Sequence, residues 1–357
     1  MKQIYLGFLL LITLTSYSQQ AYYTNGQNNV DFTLTGQNMY NALQLKISNN
    51  TNTDTYTYGD VRDDFKIMDL DPTNSSNVLL IYGFNNTLSC TSGQTDRRIR
   101  DKDDFGGNNC DYNREHIFAR SNANPGMGSA SNSFTGIVAD PHNLRASDVQ
   151  RNGARGSKKF GAGTGNSGDV GSGDWYPGDE WRGDVARTMM YMYVRYGDRC
   201  LPNLNGSGAT EPFTDMLQIY LEWNADDPVS DIENNRNNHL EGVYGNRNPF
   251  VDNPYLAKTI WGGTPEPEDT WNILNVNVLD FKSVFNISPN PARNRVNVTI
   301  SNNQETRIEI YDVLGKRVFI RKVNESLPID ISSLKTGLYI FKFIQKDKSQ
   351  IKRLIIK

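Results

Sequence analysis

Apolar residues recur at three- and four-residue spacing between Asp179 and Tyr196, which predicts an amphipathic helix closed by Gly197. The same spacing over residues 214–223 predicts a second helix. A short apolar run at Val78–Tyr82, bounded by Asn- and Gly-containing turns, is typical of a buried strand. These segments predict an α+β domain with long polar loops, and loops of that kind often carry function.

The pattern changes in the C-terminal region, where apolar and polar residues alternate and glycines mark turns. The alternating segments are 296–300, 308–310 and 339–343. Alternation with a period of two predicts a small antiparallel, all-β sandwich. A proline-containing acidic stretch before it is typical of a linker. We therefore expect a mixed domain at residues 19–262, a linker at 263–286 and the sandwich at 287–357.

The first 18 residues have the three-part layout of a secretory signal peptide. Lys2 precedes an unbroken apolar stretch, and the small residues Ser16 and Ser18 follow it. The stretch is too short to span a membrane, and a buried first helix is the alternative. No other segment is long and apolar enough for a transmembrane helix, so we expect an exported protein with no transmembrane segment after signal removal.

Charge is distributed unevenly along the chain. Residues 287–357 contain 14 Lys+Arg and 6 Asp+Glu, a balance of +8, so a net charge of −3 leaves −11 on the rest. The negative charge of the larger part of the chain counts against nucleic-acid binding unless a local basic patch faces the ligand. Clusters of this kind are more often solvated surface than binding sites. The candidates are Arg97, Arg98, Arg100 and Lys102, and Arg151, Arg155, Lys158 and Lys159.

The three cysteines, Cys90, Cys110 and Cys200, permit one disulfide and one free thiol in an oxidising compartment. Sequence alone leaves all three pairings open. None of them has a second metal-type ligand at zinc-finger spacing, which argues against a structural zinc site.

The candidate chemistry is concentrated around two of the three histidines, which fall within a 27-residue window. Hydrolysis of a phosphodiester needs a base with a pKa near neutrality, and His116 suits that role. It also needs a hard divalent cation, and oxygen ligands from Glu115 and Asn152 suit Mg²⁺, or Mn²⁺ or Ca²⁺, better than zinc. A guanidinium that clamps the phosphate can come from Arg155 or Arg151.

Asp140 and Pro141 have the sequence of a helix N-cap followed by a first-turn proline. A helix that begins there places Leu144, Asp148 and Asn152 on one face at four-residue spacing. We therefore expect Asn152 to point towards a strand that carries the Glu-His pair.

Glu115 and His116 are adjacent, and adjacent residues of a regular strand face opposite sides. If both face one site, they must lie at a strand end or a bulge. His142 is expected to be structural or to lie behind the site, with Asp148 beside it, and His239 is expected at the surface.

The site region resembles the active-site region of the endonuclease I family, nucleases of the His-Me finger, or ββα-metal, superfamily. The resemblance rests on Asn-Arg-Glu-His-Ile-Phe, Asp-Pro-His-Asn-Leu-Arg and Arg-Asn-Gly-Ala-Arg-Gly at residues 113–118, 140–145 and 151–156. Further motifs follow in order at 183–187, 221–224 and 245–252, so that the similarity covers nearly all of residues 22–262.

That resemblance implies a periplasmic or secreted enzyme in which His116 is the general base and Glu115 and Asn152 hold Mg²⁺. It also implies cleavage of DNA, and often RNA, with little sequence preference and with 5′-phosphate products. Phe118-Ala119 and Asn224 depart from residues typical of close relatives, Trp-Pro and His, but neither departure replaces a proposed ligand. A second phosphate-contacting arginine has no unique counterpart in the sequence.

The C-terminal 71 residues are similar to the sorting domain of the type IX secretion system. The similarity rests on segments 288–291, 310–316 and 334–339. It implies passage across the outer membrane by the type IX machinery and removal of this domain. A binding sandwich that stays attached is the alternative.

Three hypotheses follow from the sequence. The first is a secreted, monomeric, cation-dependent endonuclease that acts on DNA and possibly RNA. The second is a non-catalytic surface protein that binds polysaccharide or matrix, suggested by the acidic N-terminal part and the sorting tail. The third is a narrower phosphodiesterase or RNase that uses the same site.

Overall fold

The computed structural model describes residues 21–49, 52–87, 96–171, 173–271, 285–300, 304–313, 315–345 and 348–357. The chain divides into two compact units between residues 273 and 274. The signal peptide predicted at residues 1–18 and Cys90 lie outside the described residues. The domain boundaries given above stay a prediction, although Trp271, inside the predicted linker, packs against Tyr23 and Phe32 in the core of the first unit.

The first unit contains both helices and short strands, which confirms the α+β prediction. Its helices are α1 (Gly36–Ser48), α2 (Tyr58–Met68), α3 (Val149–Arg155), α4 (Arg182–Tyr196), α5 (Pro202–Asn205), α6 (Gln218–Asp226), α7 (Asp231–Val243), α8 (Pro249–Asp252) and α9 (Tyr255–Trp261). Its strands are β1 (Leu70–Asp71), β2 (Asn74–Leu79), β3 (Ile99–Asp101), β4 (Tyr112–His116), β5 (Leu144–Asp148), β6 (Gly168–Asp169) and β7 (Trp175–Tyr176).

Helix α4 is the centre of the larger hydrophobic core, because every residue from Gly183 to Arg195 is buried. It confirms the helix predicted between Asp179 and Tyr196, and Gly197 ends it at a φ of +56°. Helix α6 confirms the second predicted helix but begins only at Gln218, since the preceding residues form a turn in which Met216 N donates to Thr214 Oγ1.

The predicted strand at Val78–Tyr82 is buried throughout, but regular β2 ends at Leu79. Tyr82 then takes a φ of +71°, which is uncommon for a large side chain. In this conformation its hydroxyl donates to Glu115 Oε1 at 3.1 Å. The end of the run therefore brings the Tyr82 hydroxyl to the strand that carries Glu115 and His116 and does not continue the sheet.

Strands β4 and β5 form an antiparallel hairpin-like pair that leads directly into α3. Tyr112 pairs with Asp148 and His116 pairs with Leu144 at the two ends of the register. Asp148 then caps α3 by accepting from the backbone N–H groups of Gln150 and Arg151. This strand, strand and helix succession is the ββα arrangement that the sequence resemblance implied.

The helix predicted to begin at Pro141 is wrong. Asp140 does cap the turn, since its carboxylate accepts from His142 N, but residues 141–143 form a single 3₁₀ turn. Leu144 then enters β5, so Leu144, Asp148 and Asn152 do not share a helical face. Only Asp148 and Asn152 keep their predicted relation, because the N-cap and the fourth residue of α3 are four apart.

Half of the residues in the two predicted basic patches are buried. Arg97, Arg100, Arg151 and Arg155 are buried, Arg98, Lys102 and Lys158 are partly exposed, and Lys159 is exposed. Buried charges are stable only when paired or hydrogen-bonded. Arg100 accordingly faces Asp148 at 3.4 Å between nitrogen and oxygen.

The C-terminal unit is all-β and confirms the predicted sandwich. Its strands are β8 (Phe285–Ser288), β9 (Arg295–Ile300), β10 (Thr306–Tyr311), β11 (Arg317–Val323), β12 (Leu327–Asp330), β13 (Gly337–Gln345) and β14 (Lys348–Ile356). They form sheets of order β11-β10-β13-β14 and β12-β9-β8. The alternating residues Val296, Val298 and Ile300 point into its core, as the period of two predicted.

Two of the cysteines can be placed. Cys110 is disulfide-bonded, whereas Cys200 is free and fully buried, where burial raises the pKa of its thiol to about 12. Among the described residues, no helix is long and apolar enough to cross a membrane.

Candidate active site

The end of β4 and the middle of α3 meet at a cavity of about 670 Å³. Glu115, His116 and Asn152 all line it, together with Arg155. His116 is the last residue of β4, which is the strand-end position that two adjacent side chains need to reach one site. The three residues selected from sequence chemistry are thus brought together, although their catalytic roles stay a prediction.

His116 is held by two contacts on its ring. Its Nε2 lies 2.9 Å from the Val138 carbonyl oxygen, so that nitrogen carries the proton and Nδ1 keeps the lone pair. The ring also stacks on Tyr58 at 5.5 Å between centroids and 16° between planes. Burial lowers the pKa of His116 to about 3, only partly offset by the hydrogen bond to Val138. The imidazole is therefore neutral at pH 7 and can accept a proton, but burial sets its pKa well below the near-neutral value expected from the sequence.

Glu115 is buried and uses one of its two carboxylate oxygens in the protein. Oε1 accepts from the Tyr82 hydroxyl at 3.1 Å and from Arg155 Nη1 at 2.9 Å. In the part of the chain that the structure describes, Oε2 has no hydrogen-bond partner. Burial raises the pKa of Glu115 to about 7, against the lowering effect of Arg155 and of the hydrogen bonds. A nearby positive charge would favour its ionised form.

Asn152 has an amide whose orientation is fixed by its nitrogen. Nδ2 donates to Asn113 Oδ1 at 2.8 Å and to the Arg114 carbonyl oxygen at 3.2 Å. Because both nitrogen contacts are to acceptors, the amide cannot be turned over without losing them. Oδ1 is consequently left over, and no described residue donates a hydrogen bond to it.

These two leftover oxygens fit a hard cation of the Mg²⁺ type. Such an ion is commonly held by one or two protein oxygens and keeps water and substrate phosphates as its other ligands. A zinc site would need three or four nitrogen, sulfur or carboxylate ligands. Glu115 Oε2 and Asn152 Oδ1 are of the donor types that the predicted class of cation takes.

Arg155 lines the cavity and is fully buried. Besides Glu115 Oε1, its guanidinium donates to the carbonyl oxygens of His116 and Ile117 at 2.9 and 2.8 Å. It thus ties the end of β4 to α3. Arg151, the other predicted phosphate ligand, lies outside the cavity lining, where it donates to Ser167 and lies over Trp175.

Replacing Arg155 by methionine is expected to lower the free energy of unfolding by about 3–5 kcal/mol, because the variant leaves the buried Glu115 carboxylate without its charged partner. Lys158 is the control, since its ion pair with Asp169 is largely exposed and Lys158→Met should cost at most about 1 kcal/mol. Urea denaturation of the two variants measures the difference. If Arg155→Met lowered the free energy of unfolding no more than Lys158→Met does, the pairing of Arg155 with Glu115 would not stabilise the fold.

Neither His142 nor Asp148 lines the cavity, and their supporting role stays a prediction. His142 Nε2 lies 2.9 Å from Asn246 Oδ1, and the His142 ring packs on Tyr191. Asp148 caps α3, the helix that carries Asn152. His239, by contrast, forms a half-buried pair with Asp64 at 3.0 Å.

His142 is expected to make the fold sensitive to acid. Burial lowers the pKa of His142 to about 4, below the value near 6.5 of an unfolded histidine. The unfolded chain therefore binds the extra proton first, and stability falls as the pH drops from about 6.5 to about 4, by roughly 3 kcal/mol in total. Urea midpoints of wild type and His142→Gln at pH 7 and pH 4.5 measure this, and parallel losses in the two proteins would contradict it.

Four residues around the cavity have positions that sequence reasoning did not assign. Asn113 orients Asn152, and Tyr58 stacks on His116. Arg114 places its guanidinium 3.6 Å from the centre of the Tyr58 ring, and Arg120 lines the cavity mouth beside Gly128. Asn113 and Arg114 belong to the quoted motif, but Tyr58 is more than 50 residues distant in sequence and no local signal marks it.

Comparison with known proteins agrees with this geometry. A family model described as Endonuclease I matches residues 35–255. The chain belongs to the endonuclease I family. A second model, described as Secretion system C-terminal sorting domain, matches residues 286–357. Both resemblances stated from the sequence are thereby confirmed.

Two relatives named extracellular ribonuclease are similar to this chain. The protein of Bacillus subtilis (strain 168) is 37% identical over 239 residues, which cover 64% of this chain and 75% of the relative. The protein of Bacillus amyloliquefaciens is 37% identical over 240 residues, which cover 63% and 74%. Together with the sorting domain, this likeness shows that the chain is a secreted hydrolytic nuclease.

Proposed function

We propose that this member of the endonuclease I family is a cation-dependent endonuclease that hydrolyses both DNA and RNA with little sequence preference and leaves 5′-phosphate ends. The observation that carries the proposal is the meeting of a neutral imidazole, a carboxylate oxygen and an amide oxygen in one cavity. The C-terminal sorting domain addresses the chain to the type IX secretion machinery and is removed after passage.

In this proposal His116 accepts a proton from the attacking water on Nδ1, while the Val138 carbonyl holds Nε2–H and so keeps the tautomer fixed. Glu115 Oε2 and Asn152 Oδ1 hold the cation, which when bound neutralises negative charge on the phosphoryl and leaving oxygens. Tyr82 and Arg155 keep the carboxylate in place, since both bind its other oxygen. The hydrogen bonds of each proposed group thus leave free the atom that acts in the reaction.

We assign the phosphate contact to Arg120 rather than to the two arginines suggested by the sequence. Arg120 lines the cavity and is only partly buried, and its one hydrogen bond among the described residues runs from Nη1 to Gly128 O at 2.7 Å. Its other nitrogens can therefore bind phosphate. Arg155 is committed to Glu115 and the β4 carbonyls, and Arg151 to Ser167.

The proposed water nucleophile supports action on both nucleic acids. His116 lines the cavity beside the two proposed cation ligands, and in this proposal it activates water and not a hydroxyl group of the sugar. A water nucleophile activated by one base does not need the 2′-hydroxyl. The relatives named ribonuclease make RNA a natural part of the substrate range.

Cleavage of one sequence supplied as DNA and as RNA tests the proposal. Purified protein with Mg²⁺ is expected to cut both, and addition of a chelator should stop cleavage. The products should carry 5′-phosphate ends, so that a 5′-phosphate-dependent exonuclease degrades them. Cleavage of RNA alone, with 2′,3′-cyclic phosphate ends and without need for a divalent cation, would overturn it.

A further inference from the structure

A second cavity, of about 490 Å³, adjoins the active-site cavity. We name it the Phe134 cavity, and its lining includes Met127, Gly128, Phe134 and Val138. The two cavities share Gly128. Val138, which also lines the Phe134 cavity, is the residue whose carbonyl oxygen holds His116 Nε2. The Phe134 cavity therefore borders the active-site cavity at Gly128 and reaches the backbone that holds the Nε2 edge of the proposed general base.

Phe134 is an aromatic side chain that is 43% exposed although its backbone is firmly held. Its carbonyl oxygen accepts from Tyr58 N at 2.7 Å, and its own N–H donates to Ser131 O at 2.9 Å. The neighbouring Asn132 accepts from Gly59 N at 2.9 Å and, through Oδ1, from Arg114 Nη2 at 3.0 Å. These bonds fasten the Phe134 loop to the start of α2, where Tyr58 stacks on His116.

An exposed aromatic ring on a fixed loop is a stacking platform for a nucleobase. Ser129, Ser133 and Thr135 also line the Phe134 cavity, and no described residue forms a hydrogen bond with their hydroxyl groups. A hydroxyl group can both donate and accept, so it can bind the edge of any base. The lining thus offers stacking and adaptable polar contacts but no fixed pattern that selects one base.

We propose that the Phe134 cavity is a nucleobase subsite that stacks the base next to the scissile phosphate on the Phe134 ring. The inference rests on the proposed function, because the adjoining active-site cavity supplies the phosphate position. It adds a binding residue that takes part in no proton transfer. Stacking on a ring tolerates all bases, which accounts for cleavage with little sequence preference.

The test compares Phe134→Ala with wild type on a labelled single-stranded DNA decamer and on a decamer of abasic nucleotides, which keeps the phosphodiester backbone but has no base to stack. Loss of one stacked base should raise KM for the DNA decamer about tenfold, with KM for the abasic decamer changed less than about twofold. Phe134→Trp should restore binding of the DNA decamer. Phe213→Ala is the matched control, since Phe213 is fully exposed and lines neither cavity.

A binding measurement separates this inference from the proposed function. Fluorescence anisotropy in chelator gives Kd for the DNA decamer in wild type and in Phe134→Ala without any cleavage. A Kd that is tenfold weaker in the variant supports the subsite, whether or not the wild type cuts a diester. Failure of the wild type to cut any diester would overturn only the proposed function. An unchanged Kd, or a KM that rises equally for both substrates, would overturn the subsite.

Discussion

Replacing His116 by alanine is expected to lower kcat for hydrolysis of DNA and RNA by about 10²–10⁴-fold, because general-base catalysis contributes about that factor. The variant loses the imidazole that Val138 and Tyr58 hold in its neutral form with Nδ1 free. The effect should fall on kcat rather than on KM, since His116 acts on water and not on the nucleic acid. Initial rates on a fluorescent oligonucleotide at saturating Mg²⁺ give both constants.

The matched control is His239→Ala, which removes a histidine that lies outside the active-site cavity. It should keep kcat within about twofold of wild type. Circular dichroism and thermal unfolding of both variants separate lost chemistry from lost fold. If folded His116→Ala protein retained wild-type kcat, the base would have to be another residue.

Replacing Asn152 by alanine is expected to raise the Mg²⁺ concentration required for half-maximal rate by at least about 10–100-fold, the range that even supporting residues of a metal site contribute. Asn152 Oδ1 is one of only two protein oxygens proposed for the cation, so little remains to replace it. Excess Mg²⁺ should restore much of kcat, because His116 and Glu115 stay in place. Rate titrations with Mg²⁺, and Mn²⁺ binding followed by electron paramagnetic resonance, provide two independent readouts.

Two further amide variants are expected to give an intermediate effect and no effect on the Mg²⁺ requirement. Asn113→Ala removes one of the two acceptors that orient Asn152 and should give an intermediate shift, as the Arg114 carbonyl remains. Gln150→Ala changes an amide on the same helix that does not line the cavity and should leave the Mg²⁺ requirement unchanged. Identical Mg²⁺ titrations for Asn152→Ala and wild type would exclude Asn152 as a ligand.

The residues selected from the sequence meet in the structure, whereas the local structure predicted around them was partly wrong. Glu115, His116 and Asn152 were selected because phosphodiester hydrolysis needs their side chains, and all three line one cavity. The strand-end position of His116 followed from the alternation of strand residues and is observed. Chemistry and alternation are both readable from a few neighbouring residues.

The helix expected from Pro141 failed because its start signal is local whereas β5 depends on a distant partner. Asp140 and Pro141 do begin a turn, but Leu144 pairs with His116, 28 positions earlier. All five residues of β5 are buried, so the strand lacks the alternation that would have revealed it. Pairing with β4 thus outweighed the local helix signal.

The burial of Arg151 and Arg155 could not be predicted from the sequence either. Arg155 and Arg151 looked like surface cations beside a catalytic motif, yet both are buried. Arg155 finds its partner in Glu115, 40 positions away, and such pairing arises only when β4 and α3 come together. Tyr58 and Phe134 were missed for the same reason, since their relation to His116 exists only in the folded chain.

The central claim is that Glu115, His116 and Asn152 form a single cation-dependent hydrolytic site. Anomalous scattering at the manganese edge, from crystals of His116→Ala protein grown with Mn²⁺ and a short oligonucleotide, tests it most directly. The account predicts one strong peak within coordination distance of Glu115 Oε2, Asn152 Oδ1 and a phosphate oxygen, with the vacant position of the imidazole beside it. A phosphate bound in the cavity without such a peak, or a Mn²⁺ ion held by other residues, would contradict the account.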